Sequence, residues 1–208
     1  MSEELRGPIS ATDLIAERNR RLRDDPHYRA QIEKRDAERA ERTRRAREAE
    51  QPILQELAGI GVSVDSVWEL RKDPDAAARA VPVLLSHLDH DYPGSVIDGI
   101  SSSMSGQSAR AHWTAIRALY TRTDNAHVRD RLAAVMSGCA IRVHYQDLLS
   151  FVGDESLGES RIYFLRPINR IGNRISPGAG RSIVNSLATD PMMGKEARAI
   201  LAGRGPNE

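Results

Sequence analysis

The feature that most constrains the fold of this chain is an aspartate that recurs between apolar segments. Asp91, Asp124, Asp154 and Asp190 each follow an apolar segment with helical spacing, and a second such segment begins two or three residues later. The aspartates are 33, 30 and 36 residues apart. A repeat of this length is typical of stacked helix pairs, in which each pair buries its apolar face only against its neighbours. The chain is therefore predicted to be all-α, with an α-solenoid over residues 75–204.

About four helix pairs are predicted in this repeat domain, and each recurring aspartate has a mechanical role in its pair. It ends the first helix and caps, or lies near, the start of the second, where unpaired backbone N–H groups favour a carboxylate. No useful length of chain alternates between apolar and polar residues, so strands are not expected. The predicted pairs are residues 76–90 with 95–104, 108–122 with 126–136, 144–152 with 158–171, and 178–188 with 191–201.

Residues 1–51 are predicted to form a long, charged helical arm. Asp25 and Pro26 mark a helix start, and residues 18–47 contain 12 basic and 6 acidic side chains. Three interpretations stay open: a solvated helix, a docking arm for an acidic partner or nucleic acid that would use Arg42 and Arg45, and a coiled-coil strand, which lacks apolar a and d positions. Oppositely charged pairs four positions apart favour the helix. These pairs are Glu38–Arg42, Glu41–Arg45 and Arg44–Glu48.

Residues 52–74 are predicted to form short adaptor helices between the arm and the repeats. Pro52 either kinks the long helix or starts a new one, and Gly59 and Gly61 end it. A short helix follows. Its Trp68 is expected to be a buried anchor on the first repeat, because large aromatic side chains are usually buried. A Trp68 that faces a ligand is the alternative.

Composition indicates which classes of partner and which cellular compartment suit the protein. The net charge is +1, so bulk electrostatics favour no class of partner. Of the 30 basic residues 27 are arginine, a skew that genome composition can produce and that does not by itself indicate nucleic-acid binding. The single Cys139 rules out an internal disulfide and suits a reducing compartment. No signal segment or membrane span is apparent, so a cytoplasmic location is expected.

Few side chains are arranged as in a catalytic or metal site. His87, His90 and Asp91 are the densest potential metal ligands, but histidines also suit the negative end of a helix dipole, and that interpretation is preferred. Residues 178–182 lack the Gly-Lys-Ser/Thr ending and the preceding strand of a phosphate loop, and they are interpreted as a helix start. Nothing near Cys139 marks a nucleophile. No catalytic residue, metal or cofactor is predicted.

The clearest surface feature is a polar stripe in the third repeat. At 100° per residue these side chains fall opposite the apolar ones of the same helix, and they could bind an acidic protein surface or phosphates. An ordinary solvated helix face is the competing interpretation. Pro167 could shorten the helix. The stripe consists of Arg166, Asn169, Arg170, Asn173 and Arg174.

The aspartate turns and the repeat length resemble the HEAT-like repeat family, in particular its short bacterial form, which is sometimes called the bilin-lyase type. The segments that carry the resemblance best are residues 82–88, 145–149 and 158–161. With the charged arm included, the chain resembles bacterial HEAT-repeat proteins. The resemblance covers residues 75–203 well, and it implies an α-solenoid with a protein-binding surface. The family motif is structural, so no catalytic residue carries over.

The preferred functional hypothesis is a non-enzymatic adaptor or scaffold, or a regulatory protein of the immunity type, that binds an acidic surface of another protein and no membrane. The alternative is nucleic-acid binding, as in the HEAT-like alkylpurine DNA glycosylases. Those enzymes use aromatic residues and an Asp in a basic groove, whereas Trp68 and Trp113 are expected here in the core. A bilin-type lyase or isomerase ranks last, because no chromophore-handling group of side chains stands out. Fold alone decides little among these functions.

Overall fold

A computed structural model describes residues 10–104 and 106–205, and these residues form helices and no strand. The prediction of an all-α chain is therefore confirmed for the described residues. By its internal contacts the chain divides into two compact units, Met1–Glu48 and Ala49–Glu208. Among the described residues, no helix combines the length and the apolar character that crossing a bilayer requires.

The first unit contains α1, Ala11–Asp24, and the first part of α2, Pro26–Gly59. The helix start expected at the Asp-Pro step lies where it was predicted. Arg29 donates hydrogen bonds to the backbone carbonyls of Leu22 and Arg23, at 2.8 and 2.6 Å. These bonds satisfy carbonyls that the end of α1 leaves without helical partners. No residue of α1 is buried, so this helix is not held by a core of its own.

The second unit contains the end of α2 and, in its described part, nine further α-helices joined by turns and three segments of 3₁₀ helix. The α-helices are α3, Pro74–His87; α4, Gly94–Ser103; α5, Gly106–Arg110; α6, Trp113–Arg122; α7, Ala126–Cys139; α8, Tyr145–Gly153; α9, Leu165–Ile175; α10, Ala179–Ser186; and α11, Gly194–Leu201. The 3₁₀ segments are Val67–Lys72, Arg142–His144 and Glu155–Phe164.

The third repeat departs most from the predicted helix pairs. The single helix expected over residues 158–171 is a 3₁₀ segment followed by α9. Gly158 has a φ of +63°, which breaks the helical path near its start. Pro167 lies in the first turn of α9, where its missing N–H removes no helical hydrogen bond, so the helix continues to Ile175. In the second repeat, the helix expected over 108–122 is divided into α5 and α6.

Successive elements of the second unit pack on one another in chain order. The 3₁₀ segment Val67–Lys72 contacts α4, α4 contacts α7, and α7 contacts the 3₁₀ segment Glu155–Phe164. That segment contacts α8 and α9, and α9 has its most extensive contact with α10. The 3₁₀ segment before α9 and α9 itself therefore lie between α7 and α10 in the packing order.

A cluster of three aromatic rings forms the centre of this core. Tyr120, Phe151 and Phe164 come from α6, α8 and the 3₁₀ segment before α9, and their ring centroids are 5.1 to 5.5 Å apart. Both phenylalanines of the chain belong to this cluster. The Tyr120 hydroxyl forms a 2.9 Å hydrogen bond with the Ser160 hydroxyl, and burial raises the pKa of Tyr120. Rings in these tilted and edge-to-face arrangements stabilise the packing beyond the area they bury.

Trp68 is not the fully buried anchor that its size predicts. Its side chain is 39% exposed, whereas Val67 and Leu70 beside it are fully buried. One edge of the indole lies against Gly99 of α4, where a Cβ would come within 2.8 Å of the indole nitrogen. The Arg71 guanidinium lies 5.9 Å from the ring centroid. A glycine thus admits one edge of the ring, and the rest stays at the surface.

The recurring aspartates divide into two whose carboxylates accept backbone N–H groups and two whose carboxylates do not. Asp154 caps the 3₁₀ segment that follows it, and Asp190 caps the turn that precedes α11. The Asp190 carboxylate accepts hydrogen bonds from the N–H groups of Met192 and Met193, and Asp154 accepts one from Ser156. Asp91 and Asp124 only lie near their helices. The N-cap of α4 is Pro93, which makes no side-chain cap, and the N-cap of α7 is Asn125, whose side chain accepts hydrogen bonds from two backbone N–H groups.

The two capping aspartates predict a loss of stability in acid. Hydrogen bonds from Ser156 and from Met193 and Met192 lower the pKa of Asp154 and Asp190 below the ordinary 3.8. A carboxyl whose pKa falls on folding stabilises the fold above its unfolded pKa, and this contribution disappears as the pH falls through the folded value. The double variant Asp154→Asn/Asp190→Asn keeps an uncharged cap. Its Tm should therefore fall less than that of the wild type between pH 6 and pH 3.

Asp124→Asn is the control for this comparison, because Asp124 does not cap a helix. Differential scanning calorimetry at several pH values measures each Tm. A fall in Tm with pH that is equal in the wild type and the double variant would show that the two caps do not contribute to acid unfolding.

Arginines hold the ends of several helices in the second unit. Each donates to a carbonyl at or just beyond a helix C-terminus, where the backbone leaves acceptors without partners. The guanidinium group is planar and always charged, so it suits this task, and some of the arginines therefore have a structural role. The bonds join Arg110 to Cys139 (3.1 Å), Arg161 to Val152 (3.0 Å), Arg170 to Ala140 (3.3 Å), Arg181 to Leu201 (3.2 Å) and Arg198 to Ala188 (2.5 Å).

Candidate interaction surface

The segment around α9 has an unbalanced charge. Between Ser160 and Thr189 the sequence contains five arginines and no acidic residue, although the net charge of the whole chain is only +1. Such a local excess of one sign attracts surfaces of the opposite charge. Three of the five arginines, Arg170, Arg174 and Arg181, have exposed side chains.

α9 separates apolar and polar side chains as its spacing predicts. Leu165, Ile168 and Ile171 are buried. The five residues of the predicted stripe are half-buried or exposed, so they lie on the other side of the helix. The structure thus brings the predicted residues to one helix face, but it gives them different local contacts.

Arg166 is engaged within the protein. Its Nε lies 2.6 Å from a Glu196 carboxylate oxygen, and its two terminal nitrogens donate to the carbonyls of Arg204 and Gly205, at 3.0 and 3.1 Å. A guanidinium matches such a planar set of acceptors well. Arg166 therefore ties α9 to α11 and to the residues that follow α11, and less of its donor capacity remains for a partner.

The two asparagines of the stripe organise the start of α10. The Asn173 amide nitrogen donates to the Asn169 side-chain oxygen at 3.0 Å, and the Asn173 oxygen accepts from the Arg181 backbone N–H at 3.1 Å. Arg181 lies in the first turn of α10, where backbone N–H groups have no helical partner. Asn173 thus supplies a cap from the neighbouring helix.

Arg170 and Arg174 are the members of the stripe that extend into solvent. Arg170 uses one nitrogen for the Ala140 carbonyl, at 3.3 Å, and within the described residues Arg174 makes no side-chain hydrogen bond or ion pair. The loop that Arg170 reaches continues with the exposed Arg142 and with Val143, which is 79% exposed. We call Arg142, Val143, Arg170 and Arg174 the α9 patch. Sequence periodicity gave no sign of Arg142 or Val143, because both lie in the short 3₁₀ segment Arg142–His144.

A groove is lined in part by the residues that Arg166 contacts, Glu196, Arg204 and Gly205. It has a volume of about 700 Å³, and α11, the residues after it and Ile162 line it. Lys195, Arg198 and Arg204 bring three cations to its walls, and Glu196 brings one carboxylate. We call this cavity the α11 groove. No sequence pattern indicated it. Eight of the nine lining residues lie between Met192 and Gly205, and the ninth, Ile162, lies 30 positions before Met192.

In the arm, the two predicted binding arginines differ in their contacts. Arg45 lies 2.7 Å from the Glu41 carboxylate, and Arg44 bridges Glu41 and Glu48 at 2.8 and 2.6 Å. Hydrogen bonds from Arg45 and Arg44 lower the pKa of Glu41. Arg42 is exposed, and the predicted pair with Glu38 is not among the ion pairs of the described residues. Arg44 and Arg45 thus pair with acidic residues of their own helix, and exposed pairs of this kind contribute little to stability.

The two histidines among the potential metal ligands make contacts with other side chains of the protein. His87 Nδ1 forms a 2.7 Å hydrogen bond with the Tyr92 hydroxyl, and His87 Nε2 lies 3.3 Å from a Glu56 carboxylate oxygen. The His90 ring packs against both His87 and Tyr92. Within residues 10–104 and 106–205, no group of three or more metal-ligating side chains converges.

The single cysteine is not arranged as a nucleophile. Cys139 is buried at the end of α7, and burial raises the pKa of its thiol to about 11. The thiolate, which is the nucleophilic form, is therefore scarce at neutral pH. His144 stacks on the Trp113 ring with centroids 3.8 Å apart, and its Nδ1 accepts the Ile141 N–H at 3.3 Å. Burial lowers the pKa of His144 and favours the neutral ring.

Comparison with known proteins gives no relative from which a function could be transferred. No family model matches the chain, and neither a curated protein nor a solved structure is similar enough to count as a match. A functional assignment therefore depends on the chemistry of the chain's own surface.

Proposed function

We propose that this protein is a non-enzymatic adaptor or regulatory binding protein of the bacterial cytoplasm, and that its α9 patch contacts an acidic surface of another protein. The resemblance to HEAT-like repeats supports a solenoid of helix pairs as the scaffold. The chain-order packing from the 3₁₀ segment Val67–Lys72 to α10 is compatible with such a solenoid. The buried, protonated Cys139 suits a reducing compartment.

The observation that carries this proposal is the acid-free segment around α9. Five arginines lie in this segment, which contains no acidic residue. Arg166 is paired with Glu196 of α11, whereas Arg170 and Arg174 are exposed and form no ion pair within the described residues. Val143 adds an exposed apolar group to the loop that Arg170 contacts. Arginine beside apolar surface is typical of protein interfaces, where it forms bidentate bonds with carboxylates.

A non-enzymatic role is favoured because the reactive side chains are engaged in packing. The Cys139 thiol is protonated at neutral pH, and His144 is stacked on Trp113. His87 is buried, with a hydrogen bond to Tyr92 on one side and the Glu56 carboxylate 3.3 Å away on the other. General acid–base or nucleophilic catalysis needs such groups to converge on a space that a substrate can enter.

Charge reversal in the α9 patch tests the proposal. The full-length wild type and Arg170→Glu/Arg174→Glu are compared as baits in quantitative affinity capture from cells that express the protein. Proteins that the wild type retains should be depleted at least about tenfold with the variant, since like charges at an interface weaken binding. Circular dichroism should show equal helix content in both proteins.

Lys72→Glu/Arg79→Glu makes the same change of charge on exposed residues elsewhere in the second unit, and it should retain the captured proteins. Equal capture by all three baits would exclude the α9 patch as the interface. Retention of the wild type on DNA at low salt, with release as salt rises, would instead support the nucleic-acid alternative. Trp68 and Arg71 give that alternative an exposed aromatic group beside a cation.

A further inference from the structure

We propose that the α11 groove binds an acidic, partly apolar segment of a partner protein. The inference rests on the proposed adaptor function and adds to it a second site and the chemistry of its ligand. The volume of about 700 Å³ falls within the range of protein sites that enclose ligands. The residues that line the groove favour this class of ligand through their charge, their apolar groups and their fixed position.

The groove carries an excess of positive charge. Glu196 is the acidic side chain among its lining residues, and the Arg166 guanidinium lies 2.6 Å from that carboxylate. Lys195 and Arg204 have exposed side chains, which form no hydrogen bond or ion pair within the described residues. Arg198 uses one terminal nitrogen for the Ala188 carbonyl and keeps its full charge. None of the three cations forms an ion pair within the described residues, so carboxylates of a ligand can pair with them.

Apolar groups lie between these cations. Ile162 and Met192 are half-buried on the wall, and Ala199 and Ala202 present methyl groups from α11 and its end. A small inorganic anion would leave these groups in contact with water. A peptide that combines Asp or Glu with aliphatic side chains would cover them, and the flexible thioether of Met192 can adapt to different aliphatic shapes.

The groove is held in shape before any ligand binds. Arg166 connects Glu196 on one wall to the carbonyls of Arg204 and Gly205 on another through its three contacts. The Arg204 backbone N–H also donates to the Ala199 carbonyl at 3.0 Å, which fixes the turn after α11. A preorganised site loses less conformational entropy on binding, so a short segment can bind with useful affinity.

Fluorescence anisotropy with the full-length protein tests this site. The probe is a short fluorescein-labelled peptide of alternating glutamate and leucine, and the same peptide with glutamine in place of glutamate is the neutral control. The wild type should bind the glutamate peptide and not the glutamine peptide. Lys195→Glu/Arg204→Glu should raise the Kd for the glutamate peptide at least about tenfold.

Two matched proteins separate this site from the α9 patch. Lys72→Glu/Arg79→Glu and Arg170→Glu/Arg174→Glu change charge by the same amount outside the groove, and both should keep the wild-type Kd. An equal Kd in wild type and Lys195→Glu/Arg204→Glu, or no binding to the wild type, would overturn the groove proposal and leave the capture result for the α9 patch intact. In a competition experiment, a single-stranded oligonucleotide and the unlabelled peptide are each titrated against the labelled peptide. If the oligonucleotide displaces the labelled peptide at the lower concentration, the groove proposal is overturned in favour of a nucleic-acid ligand.

Discussion

Replacing Phe164 with alanine is expected to remove about 3–5 kcal/mol from the free energy of unfolding of the second unit. Phe164 is fully buried, and its ring contacts Tyr120 and Phe151 at centroid distances of 5.5 and 5.1 Å. The substitution leaves a cavity where α6, α8 and the segment before α9 meet. Because domains have a total stability of about 5–15 kcal/mol, this loss brings the unit close to unfolding.

Tyr163→Ala is the matched control for this prediction. Tyr163 precedes Phe164 in the same 3₁₀ segment, has a similar size, and is 36% exposed. Its truncation should cost no more than about 1 kcal/mol, because it opens no closed cavity. Urea unfolding followed by circular dichroism measures both changes. Equal losses in the two variants would show that the aromatic cluster is not the centre of the core.

The sequence predicted the secondary-structure class well, because that class depends on local signals. Helical spacing of apolar residues and the Asp-Pro helix start at Asp25 are contained in a few consecutive residues, and the described part of the chain is all-helical. Asp154 caps the 3₁₀ segment that follows it, and Asp190 caps the turn before α11, for the same local reason. Asp124 does not, because the next residue, Asn125, competes for the same backbone N–H groups.

The burial of individual side chains was harder to predict, because it depends on distant residues. Trp68 is partly exposed since Gly99, about thirty residues later, admits only one edge of its ring. The 3₁₀ segment before α9 likewise depends on the backbone of Gly158, whose φ is +63°. The helical spacing of apolar residues predicts neither the partial exposure of Trp68 nor the 3₁₀ segment.

The candidate site was predicted in part. The spacing of α9 placed the five polar residues on one face, which the structure also has. The spacing could not show that Glu196 and two carbonyls after α11 would meet Arg166, or that the Arg181 N–H would meet Asn173. These contacts join residues that lie 8 to 39 positions apart. Whether the remaining exposed residues, Arg170 and Arg174, bind a partner stays a prediction.

A second large effect is expected from Gly180→Ala, because α9 and α10 approach each other closely at this glycine. A Cβ built on Gly180 would lie 2.4 Å from the Asn169 carbonyl oxygen and 2.7 Å from that of Ile168. Both atoms belong to the backbone of α9, so they can move away only if one helix is displaced. Alanine normally favours a helix by about 1 kcal/mol over glycine, but overpacking of this kind costs about 1–3 kcal/mol, occasionally more. We therefore expect a net loss of stability.

Gly138→Ala makes the same substitution in α7, where a Cβ meets no atom within 4 Å and the backbone is helical. It should stabilise the protein by about 0.4–1 kcal/mol, because alanine restricts the unfolded chain. The two variants should thus shift the urea midpoint in opposite directions. The displacement of α9 in Gly180→Ala should also disturb the bond between Arg166 and Glu196. The α11 groove should then bind the glutamate peptide more weakly in the anisotropy assay. A stabilised Gly180→Ala would mean that α9 and α10 are not in close backbone contact.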